Sequence, residues 1–234
     1  FIVAEADLSP DMALIGNSTK KKGLATYREL MSNVSNKTNQ SGRALTKVLE
    51  SWVNNMFARA ATQMTQNPYG ETNIERIAET LMLEDCAKLQ TLAYGYEFTM
   101  GLRLFWKASR TSDINEKMTG QENVLRWFRG EFKTNQEAKK ELGINAIVED
   151  GNWFDYIMLW SQFFVLAGYR GFIILIDELA YICNTANGIT RQNNYEKILM
   201  MYNAALQGKA EYLGIIMGGI PKSIYDKKKG IFSY

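Results

Sequence analysis

Two adjacent carboxylates, Asp177 and Glu178, are the side chains in this sequence best placed to do chemistry. They follow Phe172-Ile173-Ile174-Leu175-Ile176, a continuously apolar, β-branched run opened by Gly171. Such a run reads as a strand covered on both faces, as in a parallel sheet flanked by helices. Ligands of open α/β sheets bind outside the carboxyl ends of strands, so the pair faces the expected crevice. There the first carboxylate, Asp177, can hold Mg²⁺ through a bound water, because Mg²⁺ prefers hard oxygen ligands and keeps its waters. The second, Glu178, can orient and polarise a water that attacks a γ-phosphate. An apolar run closed by Asp-Glu is the Walker B pattern of nucleotide hydrolases. A structural reading competes with it: acidic residues also open helices, where they favour the positive end of the dipole.

The elements that must hold this pair follow from periodicity. Residues 1–6 form a short apolar strand stopped by Asp7-Leu8-Ser9-Pro10. After an exposed Lys20-Lys21-Lys22-Gly23 loop the pattern is helical almost to residue 168. The clearest helix runs from about 42 to 63, with Leu45, Val48, Leu49, Trp52, Val53 and Met56 on one stripe, ended by Asn67-Pro68-Tyr69-Gly70. A second starts near Thr72 and carries on through Leu89 and Tyr96, with a break expected at Gly95 and Gly101. Helices are also expected at 121–132, 134–142 and 152–168. Beyond Glu178 come a polar loop at 184–194, a helix through Leu206 capped by Gly208, and a second buried strand at 212–217. The fold class is therefore α/β, helix-dominated, with three parallel strands and a large all-helical insertion. Residues 1–20 and 150–234 would form the sheet-bearing core and 21–149 the insertion.

Composition narrows the chemistry. The chain has no histidine, which removes Ser-His-Asp and Cys-His catalysis and the commonest zinc ligand. Cys86 and Cys183 are far apart and form no C-x-x-C, consistent with buried, reduced thiols in a cytoplasmic protein. The N-x-S/T matches at Asn17, Asn33, Asn36 and Asn39 read as an effect of asparagine-rich composition. No apolar stretch reaches the ~20 residues of a membrane span, so no membrane partner is expected. A net charge of +2 does not mark a nucleic-acid binder.

Three segments together carry a family resemblance. Gly171-Phe-Ile-Ile-Leu-Ile-Asp-Glu-Leu-Ala, Arg191-Gln-Asn-Asn-Tyr-Glu-Lys-Ile-Leu and Gln207-Gly-Lys-Ala-Glu-Tyr-Leu-Gly-Ile-Ile-Met-Gly-Gly-Ile-Pro resemble the P-loop ATPase family of bacterial BREX phage-defence systems. Phe1-Ile-Val-Ala-Glu-Ala-Asp-Leu-Ser-Pro and Thr26-Tyr-Arg-Glu-Leu are similar to the segment after that family's Walker A helix, and Leu125-Arg-Trp-Phe-Arg-Gly-Glu to its W-x-x-G-E helix. The resemblance implies an AAA+-like or origin-recognition-like core that binds and hydrolyses ATP with Mg²⁺. In it 172–176 is the Walker B strand and 213–217 the sensor-1 strand. Asp177 becomes the cofactor-binding and metal residue and Glu178 the catalytic one. Other copies of the chain, other defence-system proteins or DNA become its partners.

The sequence departs from that family twice. No G-x-x-x-x-G-K-[ST] is present, and Gly16-Asn-Ser-Thr-Lys-Lys-Lys-Gly fails the spacing, so the phosphate loop is expected upstream of Phe1. Ile220 stands where a polar sensor-1 residue is expected. Arg191 and Lys209 are possible trans-acting cations, although a helix-start residue and a dipole partner explain them more simply. Arg126, Arg129 and Lys133 beside Trp127 and Phe128 mix basic and aromatic types as nucleic-acid surfaces do, yet helical spacing puts the aromatics inside and the cations in water. The rival function class is a non-catalytic helical interaction module. A DNA partner touching the lysine triplets is a third reading.

Overall fold

The computed structural model describes every residue except Ser18, Ser41, Pro68 and Tyr234. Pro68 of the turn expected at 67–70 and Ser18 of the 16–23 loop lie outside the described residues. The chain is 59% helical, with a small parallel sheet of three strands. β1 (Ile2–Asp7) pairs with β2 (Phe172–Asp177), which pairs in turn with β3 (Leu213–Met217). β2 is thus the central strand, and among the described residues seven helices lie between it and β1.

These helices are α1 (Lys22–Ser32), α2 (Ala44–Gln66), α3 (Ile74–Leu89), α4 (Gly95–Arg110), α5 (Ile114–Phe128), α6 (Asn135–Leu142) and α7 (Trp153–Leu166). Side-chain caps set several of their starts. Asn73 accepts from the amides of Glu75 and Arg76, Asp113 from Asn115 and Glu116, and Thr134 from Glu137. Each satisfies amide donors that the first helical turn leaves without partners. After β2 come α8 (Ala180–Asn184) and α9 (Gly188–Leu206), then β3 and α10 (Pro221–Tyr225). Gly208, at φ +69, closes α9 in the left-handed conformation that glycine adopts without penalty.

Four expectations for the helical segments change. The helix expected from Thr72 through Tyr96 is two, because the chain turns after Leu89 and restarts at Gly95. Gly101 does not break α4. A Cβ there would lie 2.8 Å from Cζ of Phe128, so the glycine lets α4 close onto the aromatic face of α5. α5 begins at Ile114 rather than 121, because Asp113 supplies a cap upstream of the apolar stripe. The polar loop expected at 184–194 is mostly the first turns of α9, started by Asn187, whose side chain accepts from the Thr190 amide.

One contiguous core joins helices and sheet. At its centre Trp160 on α7 packs against Phe98 and Phe128, each at 4.9 Å between ring centroids, and against Phe164 at 5.3 Å. Its indole N–H donates to the Tyr27 hydroxyl (3.1 Å), which donates to the Phe128 carbonyl (2.6 Å). Phe164 meets Phe172 at 5.0 Å and so carries the core onto β2.

The sheet itself is fully covered on one side and partly on the other. Phe172, Ile174 and Ile176 are buried, while Ile173 and Leu175 are half-buried and Asp177 is exposed. The apolar run had implied cover on both faces. On the second face Val3, Ile173 and Leu175 are only partly covered, and Ile216 is 57% exposed.

Candidate functional site

All three strands are parallel, so the segments after them emerge at one end of the sheet. Asp177 is the last residue of β2 and faces Asp7, the last of β1, in register. Both carboxylates and that of Glu178 are exposed. The backbone carbonyl of Asp177 accepts from the Leu8 amide at 3.1 Å, which holds the strand ends together. Its side-chain Oδ1 accepts from the Glu178 amide at 2.7 Å.

Glu178 has φ +63, a conformation that non-glycine residues seldom adopt. Tyr94 and Tyr212 are the other described non-glycine residues with positive φ. Glu178 is not inside a helix: its carbonyl accepts from Tyr181 at 3.0 Å, and α8 starts at Ala180. The left-handed residue separates the strand from the helix. The pair stands just before the N-cap Leu179 of α8 and outside its first turn.

Among the described residues no group of three or more His, Cys, Asp or Glu side chains is gathered as a metal centre. One or two carboxylates plus waters is the donor set that Mg²⁺ takes in nucleotide sites, and Asp177 with Glu178 fits that chemistry. Asp7 was not singled out from sequence. The only signal for it was its position closing a strand, which gains meaning once the register with β2 is known. Gly218 was likewise missed. Two glycines in a row after a strand signal a close approach, though not of what.

The other candidates scatter. Arg191 is buried on α9, and its guanidinium donates to the Thr185 carbonyl at 2.6 Å. Arg126 forms ion pairs with Glu131, Glu137 and Glu141, and Arg129 with Glu122 and Glu131. Their charge is thereby matched by acids, while Trp127 and Phe128 are buried, as helical spacing implied. Ile220 is 46% exposed just before α10. Lys20 and Lys21, after β1, and Lys227, Lys228 and Lys229, after β3, are exposed; Lys22 donates to the Pro10 carbonyl.

A sizeable cavity lies away from Asp177 and Glu178. It is a groove of about 510 Å³ between α7 and α9, lined by Phe154, Met158, Leu199, Met200 and the Asp155 carboxylate among others. Burial pushes the Asp155 carboxyl above its ordinary range, opposed by nearby Lys197. Burial likewise lowers Lys197, opposed by Asp155 and Asp150. Its ammonium lies 5.5 Å over the Trp153 ring. No helix is long and apolar enough to cross a membrane among the described residues.

Over its full span, residues 1–234, the chain matches the family described as BREX system ATP-binding protein BrxC/D. It belongs to that family. No curated protein and no solved structure matches it. Membership in an ATP-binding family makes ATP the nucleotide to test first.

Proposed function

We propose that residues 1–234 form most of an AAA+-like P-loop ATPase domain that serves a bacterial BREX phage-defence system in the cytoplasm. Residues 1–20 and 150–234 supply the nucleotide-binding core, and residues 21–149 a helical insertion. One observation carries the reading. In a chain of an ATP-binding family, an Asp-Glu pair leaves the central strand of a parallel sheet at its carboxyl end, with the Glu left-handed. Strand order supports it. In the AAA+ arrangement the phosphate-loop strand lies beside the sensor-1 strand, and β3 has a neighbour on only one side among the described residues.

In this reading Asp177 holds the ion through a water, and Glu178 orients the attacking water and accepts its proton as oxygen bonds to the γ-phosphorus and the bond to ADP breaks. Mg²⁺, when bound, neutralises charge on the triphosphate. Most phosphate contacts come from a phosphate loop, and residues 1–234 contain no G-x-x-x-x-G-K-[ST]. Residues 1–234 alone should therefore bind Mg²⁺-ATP weakly by calorimetry. In the protein carrying its phosphate loop, Glu178→Gln should keep nucleotide binding and slow hydrolysis by roughly 10²–10⁴-fold. Asp177→Ala should instead weaken Mg²⁺-dependent binding. Unimpaired turnover in Glu178→Gln would take that residue out of the mechanism.

A second reading is a non-catalytic interaction module, favoured by the apolar side chains that α9 leaves in water: Leu199, Met200, Tyr202 and Leu206. It predicts that nucleotide leaves thermal stability unchanged and that Glu178→Gln has no effect. Other copies of the chain and other defence proteins are the proposed partners of this surface. DNA at the lysine-bearing loops would be marked by a steep loss of binding with salt.

A further inference from the structure

Gly218 follows β3 directly, and it determines where the Asp177 carboxylate lies. A Cβ at position 218 would fall 2.2 Å from Asp177 Oδ1 and 2.8 Å from its Cγ, so the carboxylate fills the space a side chain would need. From that space Oδ1 accepts from the Glu178 amide at 2.7 Å. The backbone of Gly218 clamps the same stretch from both sides. Its N–H donates to the Ile176 carbonyl at 2.9 Å, and its carbonyl accepts from the Leu179 amide at 3.0 Å. Between those two anchors stand Asp177 and Glu178, the latter left-handed.

We propose that Gly218 is a positioning residue for the carboxylate pair. Its missing side chain lets Asp177 lie across the end of β3, where it ties down the Glu178 amide and leaves Oδ2 for the ion's water. The inference rests on the reading of Asp177 and Glu178 as the Mg²⁺-and-water half of an ATPase site. It assigns to β3 a role that needs no polar side chain, which suits a strand followed by Gly218, Gly219 and Ile220.

Gly218→Ala tests it in the full-length protein. Gly218 is not among the glycines of positive φ, so alanine suits its backbone. The atom a new Cβ meets first is the tip of a side chain that can rotate away. The fold should therefore survive by circular dichroism, while Mg²⁺-dependent turnover falls at least ~10-fold and half-saturating Mg²⁺ rises by a similar factor. Gly214→Ala is the control on the same strand. The atoms nearest its added Cβ would be those of Ile173 and the Phe172 carbonyl, at 3.4 Å or beyond, and both readouts should stay at the parent value. Parent-like turnover and Mg²⁺ dependence in Gly218→Ala, beside a dead Glu178→Gln, would overturn the positioning role and leave the ATPase reading intact. Parent-like turnover in Glu178→Gln and Asp177→Ala would remove both. If Gly218→Ala does not fold, Asp177→Ala/Gly218→Ala decides: recovered folding shows that the carboxylate was the obstacle, and continued failure overturns the proposal.

Discussion

The helical layer and the sheet of this protein are built to different standards. Around Trp160, rings from α4, α5 and α7 interlock, and the polar atoms of Trp160 and Tyr27 satisfy one another and the Phe128 carbonyl. The buried Asp85 carboxylate is held in the same manner by Arg59 at 2.9 Å and Lys88 at 3.1 Å. The sheet has three strands, one well-covered face and an outer strand bonded on one side among the described residues. The candidate chemistry sits on the less covered of the two. Stability is concentrated in the helices, and the sheet keeps open the surfaces on which a ligand or a neighbouring segment can act.

Mutation should separate the two regions most clearly. Trp160→Ala removes a fully buried ring and should cost about 3–5 kcal/mol in urea unfolding, whereas Leu175→Ala, on the half-covered face, should cost about 1 kcal/mol. Equal costs would erase the contrast.

A smaller effect comes from pH. Burial pushes the Cys86 thiol on α3 from an ordinary value of 9.0 up to about 11, with Arg103 opposing and Asp85 adding to it. The folded state keeps the proton while the unfolded state loses it, so stability is full below pH 9 and falls as pH rises toward 11. The loss is on the order of 2–3 kcal/mol. Above pH 10 the buried Tyr27 and Tyr156 hydroxyls, both raised by desolvation, add to it. Cys86→Ala should flatten the curve between pH 9 and 10; an unchanged slope would place its origin elsewhere.

The least effect on stability is expected at the β3 edge. Ile216→Lys should shift unfolding by no more than about 0.5 kcal/mol, because that side chain already stands in water. The strand carries no charge to deter pairing, so residues 1–234 should self-associate through it, and the lysine should reduce that association in sedimentation. A parent protein that stays monomeric while the Ile215 and Met217 amides exchange freely would count against self-association. Strong protection in a monomer would mean that another segment covers the edge.

Much of the architecture was legible because it is periodic or capped. The run 172–176 declared a strand, Gly208 a helix end, and the spacing of Val124, Trp127 and Phe128 an inward face. Two kinds of miss differ in cause: the starts of α5 and α9 were set by local caps, Asp113 and Asn187, that the apolar stripe does not report, while the others depended on a neighbour remote in sequence. Gly101 reads as a breaker until the Phe128 ring is placed against it. A run of five apolar residues cannot report that one side of its strand is only half covered. Asp177 and Glu178 were picked from their types and from the strand before them. Gly218 becomes meaningful only when β3 is laid beside β2.

Asp150 has a consequence in time as well as in space. Its Oδ2 accepts from the Gly16 amide at 2.6 Å, and its Oδ1 from Gly23 at 2.6 Å and Leu24 at 3.2 Å. Asn194, further on, accepts from Leu14 at 2.9 Å and Ile15 at 3.2 Å. The stretch leaving β1 is thus fastened by partners 126 to 180 positions downstream. Closing such long loops costs entropy before any contact repays it. During synthesis β1 has only the bridge from Val3 to Ser35 to draw on, and must wait for its sheet partner until the ribosome has delivered β2. Among these residues, the strand made earliest is one of the last to be secured.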